Sequence, residues 1–153
     1  MPTLAVNKKA LYDYEVTERY EAGIKLTGPE VKSIKLGRVD LIGSYARITP
    51  QGNAVLMNAA ISPYPPAASA QTHYNPRRDR ELLLHRREIA SLIGGSQIHG
   101  RTLIPLSVYS KRGLIKIELG VGRGRKLHDK REVIKRREFE RKKKQLLGTW
   151  PTR

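Results

Sequence analysis

The stretch Leu114-Ile115-Lys116-Ile117-Glu118-Leu119-Gly120-Val121 alternates with period two. Ile115, Ile117, Leu119 and Val121 fall on one side of an extended chain, Lys116 and Glu118 on the other. A segment of this kind is a strand with one buried face, and its Leu/Ile side is core. Ahead of it stand the turn Lys111-Arg112-Gly113 and a second apolar run, Leu103 to Tyr109. The pair predicts an antiparallel hairpin.

Working outward from this hairpin, Ser44 to Thr49 and Ala54 to Ile61 read as two further strands joined at Pro50-Gln51-Gly52-Asn53. Tyr12, Tyr14 and Val16 alternate with Asp13, Glu15 and Thr17, and the pattern resumes at Ile24 and Leu26 after a bulge or bend at Gly23. Pro29 to about Leu36 is a short helix, with Pro29 at its first position and Gly37 as its stop. Asp79 reads as the N-cap of a second helical region carrying Leu82, Leu83, Ile89, Leu92 and Ile93 up to Gly94-Gly95. Pro63, Pro65, Pro66 and Ala67 to Ala70 belong to a loop that ends at Asn75-Pro76. Five or six short antiparallel strands with helical inserts close into a barrel to remove their edges. The expected fold is mainly β with helices, and an oligonucleotide-binding (OB)-type antiparallel barrel is one candidate among several for it.

The 153 residues suffice for one domain and a tail. Net charge is +16, unevenly spread: residues 1–122 hold 17 basic and 10 acidic side chains, residues 123–153 hold 13 and 4. This balance calls for a polyanionic partner. The expected division is a barrel over 1–122 and a basic tail over 123–153. From Asp129 to Leu147 the tail lacks Gly and Pro and carries Glu132/Arg136, Glu138/Lys142 and Glu140/Lys144 at helical spacing. Asp129 suits a cap. Val133, Ile134, Phe139, Leu146 and Leu147 form no stripe broad enough for firm docking. A segment like this is flexible when free and becomes helical against a polyanion.

Cysteine is absent, which excludes disulfides, thiolate metal sites and a Cys nucleophile. His73, His85, His99 and His128 show no metal-ligand spacing, and no metal or cofactor is expected. Gly120-x-Gly122-x-Gly124 lacks the Lys-Ser/Thr of a phosphate loop and reads as a hinge between barrel and tail. No catalytic constellation is present, so an enzyme is not expected. No apolar run is long enough to span a membrane, and a cytoplasmic protein without membrane contact is expected.

Several blocks are more specific than composition. Asn7-Lys8-Lys9-Ala10, Glu21-Ala22-Gly23-Ile24, Glu30-Val31-Lys32-Ser33, Asp79-Arg80-Glu81-Leu82-Leu83-Leu84 and Gly124-Arg125-Lys126-Leu127-His128-Asp129-Lys130-Arg131 occur in this order. Together they resemble the small protein B (SmpB) family, which binds transfer-messenger RNA (tmRNA, or SsrA RNA). Pro29 departs from that pattern, and Gly148 to Arg153 matches none of it.

The resemblance implies an OB-type barrel and an adaptor for ribosome rescue by trans-translation. Such an adaptor binds the tRNA-like domain of tmRNA, and its tail enters the empty mRNA channel near the decoding centre of the small subunit. It further implies RNA contact by Asn7, Glu21 and Leu83, with Lys8, Lys9, Tyr12 and Tyr14 nearby. The implied ribosome-facing residues are Gly124, Lys126, His128, Asp129, Lys130 and Arg131. Elongation factor Tu would join the delivery complex, and the chain would act as a monomer. The competing reading is a ribosomal or ribosome-assembly RNA-binding protein, which shares the basicity and the tail.

Overall fold

The computed structural model describes residues 2–66, 73–96, 101–125 and 127–148. The elements described are β1 (Thr3–Val6), α1 (Lys8–Asp13), β2 (Tyr14–Ile24), α2 (Gly28–Lys35), β3 (Val39–Asp40), β4 (Tyr45–Ile48), β5 (Ala54–Met57), β6 (Ala60–Ile61), β7 (Arg80–Leu83), α3 (Arg86–Ser96), β8 (Arg101–Lys111), β9 (Leu114–Gly124) and α4 (Leu127–Gly148). The main sheet runs β1-β8-β4-β5-β7-β2-β9, and β9 pairs again with β8. That last pairing closes the sheet into an antiparallel, OB-type barrel, with β1 laid on β8 beyond the β4 contact. The long hairpin turns on Arg112 and Gly113, both at positive φ, as a two-residue loop matched to strand twist demands.

Two apolar layers hold this barrel. Inside it, Ala22, Leu56, Leu82, Leu103, Val108, Ile117 and Leu119 are buried together. Outside, Ala10 of α1 covers Ile104 and Leu106, with Leu11, Tyr14 and Val16 around them. Strands must therefore change phase along their length. A register shift between Pro105 and Ser107 lets β8 aim Ile104 and Leu106 at α1 and Val108 at the interior. Another, between Val16 and Glu18, turns β2 from Tyr14 and Val16 under α1 to Tyr20 and Ala22 inside.

The same layering overturns the hinge reading of the glycine run. Gly120 and Gly122 lie within β9, opposite Arg19 and Val16. A Cβ at Gly120 would stand 2.8 Å from Leu106 Cδ1 and 3.0 Å from Val16 Cγ1; at Gly122 it would stand 3.0 Å from Tyr14 Cβ. Both glycines make room for the layer beneath α1. The strand continues to Gly124.

Other expectations change for similar reasons. Tyr12 belongs to α1 rather than to a strand, because Asn7 caps a helical turn there. Gly23 pairs in register with Leu83, and the bulge of β2 lies at residue 17 instead. Asp79 caps no helix: Arg80–Leu83 is a strand between β5 and β2, and α3 starts at Arg86 after His85. The apolar run 54–61 is broken at Asn58, where φ is 64°, and Ala60–Ile61 pairs with β3 in a separate ribbon. Strands β1, β3 and β7 were beyond what the expected five or six included. Helix α4 begins at Leu127, which puts Asp129 inside its first turn rather than at the cap. The loop residues Ala67, Ala68, Ser69 and Ala70 lie outside the described residues.

The early helix is present as expected, but Thr27 caps it and Gly28 takes its first position, which puts Pro29 second. Thr27 accepts from the Glu30 amide at 3.3 Å while Glu30 accepts from the Thr27 amide at 2.9 Å, a reciprocal capping box.

Candidate nucleic-acid interface

The implied RNA residues fall into two groups at opposite ends of β2. Glu21 lies on the outer face, facing Glu118 across the β2–β9 pair. Two residues on, Gly23 is opposite Leu83, so Glu21 and Leu83 are diagonal neighbours on that face, about 7–8 Å apart by strand geometry. Leu83 is 49% exposed, although a leucine in its setting reads as core from sequence. Gly23 is why it can sit there: a Cβ at 23 would meet Leu83 Cβ at 3.3 Å. Leu83 shares a shallow apolar groove with Leu26, Val31 and the exposed Leu114.

Glu21 is not a lone carboxylate. Tyr109 donates its hydroxyl to Oε2, and Lys111 Nζ lies 3.2 Å from Oε1. The Tyr109 hydrogen bond, followed by that of Lys111, holds the Glu21 carboxyl below its usual range. Burial, and then the bond to Glu21, pushes the Tyr109 phenol well above its own. Beside them Arg19 pairs with Glu118 at 2.6 Å. Arg19, Tyr20, Glu21, Ser107, Tyr109 and Glu118 line one cleft. Its floor offers ionised acceptors flanked by cations. Glu21 keeps acceptor capacity for base amines or 2′-hydroxyls while its neighbours meet phosphates. Sequence reasoning missed Tyr109 and Lys111, since only the hairpin brings positions 88 and 90 residues away to Glu21.

The second group surrounds α1, roughly 20–25 Å from Glu21 along β2. Lys8 and Lys9 are exposed on the first turn of α1. Tyr14 packs with Val16 against the layer under α1, so it is framework at least as much as surface. Asn7 precedes these residues as the N-cap of α1. It is 3% exposed, and its Oδ1 accepts from the Ala10 amide at 3.2 Å. Its amide donates to the carbonyls of Leu41 at 3.2 Å and Pro105 at 3.0 Å. Through these three bonds Asn7 fastens α1 to the barrel.

The implied ribosome-facing residues follow directly. Gly124 ends β9 opposite Tyr14. Lys130 reaches back to α1, 3.2 Å from Asp13 and 5.6 Å from the Tyr12 ring centroid. Arg131 is exposed. Lys126 and the side chains of His128 and Asp129 lie outside the described residues. Among the described residues, no group of three His, Cys, Asp or Glu comes together to hold a metal, and no helix is long and apolar enough to cross a membrane.

Known proteins resemble this chain closely. The SmpB protein family profile matches residues 4–149. An SsrA-binding protein of Nostoc punctiforme is 51% identical over 138 residues, covering 90% of this chain and 88% of its own length. One from Caulobacter vibrioides is 46% identical over 145 residues, covering 94% and 93%. A chain in the solved structure "tmRNA-SmpB: a journey to the center of the bacterial ribosome" superposes with a TM-score of 0.66 at 44% identity, covering 80% of this chain and 85% of that one. With a family match across nearly its whole length, and a barrel and tail of the same kind, the chain belongs to the SmpB family.

Proposed function

We propose that this chain is an RNA-binding adaptor of trans-translation, not an enzyme, and that it binds tmRNA and brings it to stalled ribosomes. The observation that carries this reading is the SmpB family match over residues 4–149, which spans barrel and tail alike. The barrel supplies the tmRNA site, with the Glu21–Leu83 face as its specific part and Lys8 and Lys9 as phosphate contacts. The tail supplies the ribosome site: α4 is helical from Leu127 and exposed from Ile134 to Gln145, with basic side chains around it. It fits an empty mRNA channel walled by phosphates. Elongation factor Tu would accompany a monomer of this chain during delivery, and Gly124, Lys126, His128, Asp129 and Arg131 would meet the decoding centre.

The test is a reconstituted translation reaction on a message without a stop codon, with tmRNA binding measured in parallel across salt. Stopping the chain after Gly124 leaves tmRNA affinity nearly intact and abolishes tagging. Full tagging by the shortened chain overturns the role of the tail. Equal affinity for tmRNA and an unrelated hairpin overturns the specific barrel site.

A further inference from the structure

Asp13 is the last residue of α1, and Lys130 is the fourth of α4. Each charge stands at the unfavourable end of its own helix: free carbonyls repel a carboxylate at a C-terminus, and free amides repel an ammonium at an N-terminus. The fold sets the two against each other. Lys130 Nζ lies 3.2 Å from Asp13 Oδ1, with the side chains only 27% and 26% exposed, where screening by salt is weaker. The same ammonium stands 5.6 Å from the Tyr12 ring centroid, within cation–π range. Arg125, at the start of the tail, donates its amide to the Asp13 carbonyl at 2.8 Å. Asp13 is thus held through backbone and side chain by residues on both sides of the strand-to-helix junction. Helix α4 therefore lies against α1 at its root.

We propose that Asp13 and Tyr12 form a cradle for Lys130 that sets the direction in which the basic helix leaves the barrel. Lys130 is then a positioning residue and not a phosphate ligand. The inference rests on the reading that the tail works in the mRNA channel. Its leverage is geometric. A helix of 22 residues spans about 33 Å, so a tilt of about 20° at its root moves the far end by about 11 Å. A displacement of that size takes the helix out of a channel.

The absence of cysteine allows a clean test in the full-length protein. Gln51→Cys and Gln145→Cys, both exposed, carry a dye pair that reports the barrel-to-tail distance without RNA or ribosome. Asp13→Lys and Lys130→Asp each shift and broaden that distance, and the double exchange restores it. Lysine suits a helix C-terminus, so Asp13→Lys keeps α1 folded, and an unchanged Tm checks this. In the tagging reaction each single exchange lowers the rate roughly tenfold, and the double exchange recovers most of it. An unaltered distance and tagging rate in Asp13→Lys overturns the cradle. Recovery of the distance without recovery of tagging also overturns it, because Lys130 would then act through its own charge on the ribosome. If removal of everything after Gly124 leaves tagging intact, the tail reading fails instead, and the dye distances still judge the cradle independently.

Discussion

Arg80 Nε lies 2.8 Å from Glu30 Oε2, and both residues are sealed from solvent, at 0% and 1% exposure. The contact joins the start of α2 to β7. All five guanidinium donors are used: Nη1 reaches the carbonyls of Ala59 and Arg78, and Nη2 reaches Tyr74 and the Pro76 carbonyl. Arg78 pairs with the same carboxylate, and Tyr74 bonds it at 3.0 Å. Burial alone would raise the Glu30 carboxyl. Hydrogen bonds from Arg78, the Thr27 amide and Arg80 outweigh it and hold the group at about 2.

The pH dependence follows from that sign. Glu30 is depressed from 4.5 to about 2, so its contribution is complete above about 4.5 and is lost as pH falls from there toward 2. The shift corresponds to about 3 kcal/mol at neutral pH. Urea unfolding at pH 7, 4, 3 and 2.5 measures it, and stability is expected to fall across the last three. Glu30→Gln leaves the buried Arg80 charge without its counter-ion and costs about 3–5 kcal/mol. Arg80→Lys also fails, since an ammonium cannot satisfy the acceptors that the planar fork reaches.

Asn7→Ala separates framework from contact. Losing the cap and two buried amide bonds costs roughly 2 kcal/mol. Once unfolded molecules are discounted, affinity for tmRNA is unchanged. Denaturation and salt-resolved binding on the same samples check this, and a loss of affinity in fully folded Asn7→Ala would return Asn7 to the RNA surface.

Glu21→Ala behaves in the opposite way. The fold survives, because the side chain is exposed on the outer face of β2. Removing a negative charge from a +16 protein favours RNA binding by simple electrostatics. Weaker binding, by roughly tenfold, therefore reports a lost acceptor contact. Tyr109→Phe, which frees one side of the carboxylate, produces part of the same loss. Titration against tmRNA at constant salt is the measurement, and tighter binding by the alanine variant rules the contact out.

Gly120→Val tests the layer beneath α1. Its branched side chain meets Leu106 and Val16 where a Cβ alone already stands 2.8 Å from Leu106. Leu106 is buried and cannot swing away. The expected cost is about 1–3 kcal/mol from overpacking. Gly52→Val offers a contrast: no atom lies within 4 Å of its Cβ position, and its cost comes from a φ of 83°. Thermal unfolding of both compares crowding with backbone strain.

Period-two alternation from Leu114 to Val121 determined by itself the hairpin and its buried face, because a strand with one wet side must alternate. Charge counting likewise isolated the tail, and the sequence blocks carried the family. Periodicity could not follow β2 through its bulge, since one extra residue reverses which side chains point inward. It also put Leu82 and Leu83 on a helix, because four residues do not distinguish a strand from a helical turn until β5 and β2 offer their edges. Only the tertiary structure decided that Gly120 and Gly122 are packing positions and that Asn7 faces inward. Only it showed Glu21 meeting Tyr109 and Lys130 meeting Asp13. Those contacts join residues about 90 to 120 positions apart. Their physical cause is closure of the barrel, which brings both ends of β9 against β2, and no local pattern records where a closed sheet meets itself.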